Sequence, residues 1–153
     1  MRAPWLLTSL LVLASVQPVQ SRTVIIDDSG TLPYDTPLSL NWQQRSPFGL
    51  GANRLTGTLT VRVKLNVAPW LRRSGRIYLV LPAQPPGAMT VTWSTQGRLL
   101  PGTLSAGTRA LVYSGPITTP FIEDVLQLSL TVDASRLQPQ QYHVNFNFEM
   151  DEG

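Results

Sequence analysis

Tyr142-His143-Val144-Asn145-Phe146-Asn147-Phe148-Glu149-Met150 is the stretch that decides how this chain is read. Its apolar members, Tyr142, Val144, Phe146, Phe148 and Met150, alternate without a break with His143, Asn145, Asn147 and Glu149. Successive side chains of a strand point to opposite faces, so the stretch predicts a sheet wall, apolar on one side and polar on the other. Only Asp151, Glu152 and Gly153 follow it, and the expectation is that no later strand covers its edge. What pairs with that edge becomes the question posed by the rest of the chain.

Working outward, Leu126, Leu128, Leu130 and Val132 alternate with Gln127, Ser129, Thr131 and Asp133 in a second clean strand. A third runs from Thr58 to Val67, with Leu59, Val61, Val63, Leu65 and Val67 opposite Thr60, Arg62, Lys64 and Asn66. Met89, Val91 and Trp93 form one more half-buried face, and Leu38, Leu40 and Trp42 another. Arg76 to Leu81 is apolar on both parities, which predicts a strand in the middle of a sheet or between two sheets. Leu99 and Leu100 begin a short segment, and Ala110 to Tyr113 reads as a brief strand. Between these runs stand 11 glycines and 13 prolines, and no window carries a helical period. Short strands punctuated in this way predict an all-β sandwich, with residues 37–153 as one domain.

The amino-terminal part divides in two. Arg2, the apolar run Trp5 to Val16 and the small-residue site Val19-Gln20-Ser21 predict a signal peptide over residues 1–21. An exported domain with no cysteine has no disulfide staple, so its stability must come from a packed core or a partner. Residues 22–36 leave two readings open. One is an internal first strand, Thr23 to Ile26, followed by a turn at Asp27-Asp28-Ser29-Gly30; the other is an extended arm that leaves the domain.

The chemistry of common enzymes is missing. The chain has one histidine, no cysteine and no Gly-x-Ser-x-Gly elbow, so no catalytic residue is assigned. Gly49-Leu50-Gly51 lacks the following helix of a dinucleotide site, and Asp27, Asp28 and Asp35 lack a calcium-loop spacing, so no cofactor or metal is expected. A net charge of +3 is far from a nucleic-acid-binding profile. Arg72, Arg73 and Arg76 surround Trp70 at one turn, and Arg62 and Lys64 join them if the flanking strands form a hairpin. Such a basic and aromatic patch suits an acidic glycan; the competing reading is solubilising charge on a wet sheet face.

Asp133 to Tyr142, with Leu137-Gln138-Pro139-Gln140-Gln141 before the tyrosine, has the form of the tyrosine corner that precedes a late strand in immunoglobulin-like sandwiches. Val144 stands where antibody domains carry a cysteine. With the signal peptide, this corner and the alternating terminal strand, the chain resembles a subunit of chaperone–usher fimbriae, in particular the cysteine-free pilins of the colonisation-factor type. The resemblance implies an immunoglobulin-like β-sandwich that is incomplete and is completed by a donor strand. It implies a periplasmic chaperone and an outer-membrane usher as partners, then other pilus subunits, and cell adhesion through a host glycan or protein receptor. It places the protein at the cell surface, reached by secretion through the periplasm. In this scheme Tyr142, Val144, Phe146, Phe148 and Met150 line the acceptor groove, and Val24, Ile26, Gly30 and Leu32 are donor-strand positions, assigned by parity. Burying about four such side chains is worth on the order of 6 to 12 kcal/mol, comparable with the whole stability of a domain.

Overall fold

The computed structural model describes residues 21–33, 41–42, 54–83, 89–133 and 146–152. Ten strands are formed there: β1 (Arg22–Ile25), β2 (Leu32–Pro33), β3 (Asn41–Trp42), β4 (Arg54–Asn66), β5 (Ser74–Val80), β6 (Met89–Thr95), β7 (Gly102–Ser105), β8 (Arg109–Pro116), β9 (Phe121–Asp133) and β10 (Asn147–Glu152). They make two antiparallel sheets, one ordered β1-β10-β5-β8, the other β2-β4-β9-β6-β7 with β3 also against β4. The signal-peptide stretch, the Asp133 to Tyr142 corner beyond Asp133, and Tyr142, His143 and Val144 themselves lie outside the described residues.

Alternation builds the second sheet. β4 and β9 are 13 residues each and pair over their full length, from Arg54 opposite Asp133 to Asn66 opposite Phe121. Val63 and Leu65 of β4 and Ile122, Leu126, Leu128, Leu130 and Val132 of β9 turn to the same interior, while Thr58, Arg62, Gln127 and Ser129 face water. In the first sheet Ile77 and Leu79 of β5 and Phe148 and Met150 of β10 close the same core from the other side. β5 lies between β10 and β8, the central place its two-sided apolar run predicts.

Two sequence expectations are corrected. The strands flanking the Trp70 turn form no hairpin, because β4 and β5 belong to different sheets. A short 3-10 turn, Ala68–Trp70, with Pro69 inside it, carries the chain across from one sheet to the other. Arg72 then adopts φ 64, a left-handed conformation, as the turn closes through its N–H on the Ile117 carbonyl at 2.9 Å. Leu99 and Leu100 belong to no strand; the next strand, β7, begins at Gly102. There the Trp93 indole lies on the glycine, where a Cβ would come within 2.8 Å of the ring, and gives its N–H to the Leu100 carbonyl at 2.9 Å.

Asp124 occupies a core-facing position of β9 and is only 6% exposed. Its carboxylate accepts the backbone N–H groups of Gln96 at 3.2 Å and Leu99 at 2.8 Å, pinning the β6–β7 loop. Asp124→Ala leaves both donors without a partner and is expected to lower stability by about 2 to 4 kcal/mol, read from urea unfolding, with Asp124→Asn falling between it and the parent.

Candidate functional site

The free edge of β10 is occupied by the chain's own amino-terminal strand. β1 runs antiparallel to β10 with Arg22 opposite Glu152, Thr23 opposite Asp151, Val24 opposite Met150 and Ile25 opposite Glu149. The Ile26 N–H extends the ladder to the Phe148 carbonyl at 2.9 Å. The chain then changes sheets, for the Asp27 carbonyl accepts the Asn66 N–H at 3.0 Å. Beyond it the Thr31 hydroxyl accepts the Lys64 N–H at 3.1 Å, and Leu32 and Pro33 pair with Arg62 and Val61 of β4. One segment of about a dozen residues thus edges both sheets in turn.

This crossing sorts the residues chosen from sequence. Val24 is half-buried against the core and Ile26 is 1% exposed, so both enter the space between the sheets. Gly30 and Leu32 do not join them. Gly30 rests on the Lys64 stem, where a Cβ would lie 3.0 Å from Cδ, and Leu32 is 62% exposed. A single parity cannot run through the change of sheet at Asp27. Of the residues expected to line an acceptor groove, Phe148 and Met150 are buried and Phe146 is half-buried.

Residues of both sheets enclose a cleft of about 300 Å³. Leu59, Val61, Val63, Leu79, Leu126, Leu128, Phe146 and Phe148 line it, and Asp28 and Thr31 are its polar members. No residue of β1 lines it; the amino-terminal segment borders the cleft only after leaving β10, at Asp28 and Thr31.

A polar clasp holds β1 on the outer face. Asp151 is 5% exposed, accepts the Thr23 hydroxyl at 2.7 Å and receives both guanidinium nitrogens of Arg109 at 3.2 and 3.3 Å. Arg109 reaches it from β8 across the ring of Tyr78, 4.2 Å from the centroid, and also approaches Glu149 at 3.7 Å. Periodicity does not reveal this clasp, since its members come from four strands and Asp151-Glu152 reads as a charged tail. One signal was present: Arg109 is a cation at the first position of a strand of otherwise uncharged residues.

The carboxyl of Asp151 is held below its ordinary range, first by the Thr23 hydroxyl, then by Arg109 and the nearby Arg76. Asp28 moves the other way, its carboxyl raised mainly by burial beside the cleft. The signs are opposite. Asp151 contributes stability that is fully present above its unfolded pKa of about 4 and is lost as pH falls through the lower folded value. Asp28 destabilises the fold at neutral pH, and that cost disappears once it is protonated. Asp28→Asn is therefore expected to raise the melting temperature at pH 7, with the gain vanishing below about pH 4; Asp151→Asn is expected to lower it at pH 7 and to converge with the parent in acid. Thermal melts across pH check both.

The basic turn is rearranged relative to its sequence reading. Trp70 is 6% exposed and gives its indole N–H to Glu152 at 2.6 Å, so it offers no open aromatic face. Arg73 approaches the same carboxylate at 3.9 Å, and Arg72 and Arg76 are exposed. Lys64, on the other sheet, is paired with Glu123 at 3.4 Å. The cations of the expected patch are therefore divided between two sheets, with its aromatic member buried.

No metal-ligating cluster occurs among the described residues. Comparison with known proteins finds no matching family model, no matching curated protein and no matching solved structure.

Proposed function

We propose that this chain is a structural or minor subunit of a bacterial surface fimbria, polymerised by donor-strand exchange and supporting adhesion. A periplasmic chaperone and an outer-membrane usher are its assembly partners, and β1 is the exchangeable strand. The observation that carries this reading is a short amino-terminal strand at the edge of β10, paired among the described residues with β10 alone, whose continuation at Asp28 and Thr31 borders an apolar cleft.

Strand order supports it. β2-β4-β9-β6 follows the A-B-E-D order of an immunoglobulin-like sheet, and β5 and β10 take the C and F places. β1 then lies antiparallel at the outer side of β10, where strand G belongs. In that fold strand G follows strand F in sequence, whereas here the place is filled from the amino-terminal side. A strand tethered by the Asp27 to Thr31 crossing can leave its own groove and enter a neighbour's without breaking the β4–β9 pair.

The test compares the mature chain with a version carrying residues 22–36 again after Gly153 on a flexible linker. The ungrafted chain is expected to form a ladder of oligomers on concentration, and the grafted chain to stay monomeric and melt at a higher temperature. An ungrafted chain that remains a monomer, unfolds cooperatively at high temperature and gains nothing from the graft overturns the proposal.

A further inference from the structure

The turn at Trp70 was the sequence's candidate for a glycan surface, yet the exposed aromatic with cations around it lies elsewhere. Phe121, the first residue of β9, keeps 43% of its surface in solvent at the rim of a shallow depression of about 420 Å³ bordered by Arg98, Thr119, Pro120 and Glu123. The Lys64 ammonium stands 4.7 Å from the ring centroid.

These groups are held in place. Asp124 fixes the backbone on both sides of Arg98 through Gln96 and Leu99, and Arg98 donates to the Thr119 hydroxyl at 3.2 Å. That hydroxyl in turn donates to the Phe121 carbonyl at 2.8 Å. The buried carboxylate of Asp124 therefore positions a guanidinium at the border of an exposed ring. Lys64 is tethered at the other side by Glu123.

We infer that this corner is a binding site for an acidic saccharide, a pyranose bearing a carboxylate or sulfate. The exposed part of the Phe121 ring packs against the apolar C–H face of the sugar. Arg98 pairs with the anion, its planar fork matching the geometry of two acidic oxygens. Glu123 and the Thr119 oxygen accept sugar hydroxyls. Two cations against one exposed carboxylate favour an anionic over a neutral sugar. The site shares no residue with β1 or the cleft, and Lys64, on which Gly30 rests, is its one contact with the crossing segment.

The experiment titrates the grafted, monomeric chain with sialyllactose, a heparin hexasaccharide and lactose, following amide chemical shifts and affinity. Binding of either acidic sugar, with shifts centred on Arg98, Thr119 and Phe121, is the expected result, and which of the two binds identifies the anionic group. Phe121→Ala and Arg98→Gln are each expected to weaken it about tenfold or more, while Arg72→Ala with Arg73→Ala leaves it unchanged. Melting temperatures show whether each variant is folded. Absence of binding, equal binding of lactose, or a loss that follows Arg72 and Arg73 instead overturns the assignment. A Phe121→Ala variant that is folded and binds normally also overturns it, since the site then acts as bare charge.

Discussion

A chain that begins at Asp27, lacking β1, is expected to lose cooperative unfolding and to aggregate at micromolar concentration. Removing Val24 and Ile26 from the interior forfeits about 3 to 6 kcal/mol of apolar burial. It also uncovers Met150 and Phe148, now 0% and 2% exposed, and opens the β10 ladder. A domain of this size has only about 5 to 15 kcal/mol in total, and the newly bare strand edge is a template for self-association. Adding a peptide of residues 22–36 in trans is expected to restore a melting transition whose midpoint rises with peptide concentration, as linkage requires. An unaltered transition in the shortened chain shows that β1 contributes nothing to the fold.

The sharpest test of the β1 register uses two adjacent isoleucines. Ile26 is 1% exposed and Ile25 is 69% exposed, so they face opposite sides of one short strand. Ile26→Asp places an unpaired carboxylate between the sheets and is expected to cost about 4 kcal/mol or more. Ile25→Asp, on the wet face, is expected to stay within about 0.5 kcal/mol of the parent. Denaturant midpoints for the two variants read the difference directly. Equal effects at the two positions, or a reversal, place β1 in another register.

Much of the architecture could be read from side-chain alternation. The 13-residue strands β4 and β9 contain the alternating runs Leu59 to Asn66 and Leu126 to Asp133, because a half-buried strand must alternate to bury one face. Their partnership was less legible, since nothing in the spacing tells which strands share a sheet. The condition left open at Trp70 is decided the same way: β4 and β5 are adjacent in sequence but form no hairpin, and a 3-10 turn sends them to opposite sheets. The donor positions divide in the same way. Val24 and Ile26 obey the parity of one strand, and Gly30 and Leu32 fall beyond a crossing whose signal, Asp27-Asp28-Ser29-Gly30, reads locally as a turn. Beyond the lone cation Arg109, the clasp on Asp151 and the corner at Phe121 left no mark in the sequence, because each joins residues from distant strands, and charge or exposure at one position carries no record of its partners across a sheet.

The pairing of Arg22 with Glu152 has a mechanical consequence. Because β1 and β10 are antiparallel and these two residues lie side by side, a pull applied at Arg22 and Glu152 peels the strand away from one end. The ladder bonds then break in turn, each bearing the whole load. In the proposed fimbria, a strand of the same sequence donated by a neighbouring subunit and pulled along its own axis, against a β10 anchored at its far end, would be loaded in shear, so that the bonds would share the tension. Under that proposal the same few contacts would be weak as an intramolecular closure and strong as a joint between subunits under traction.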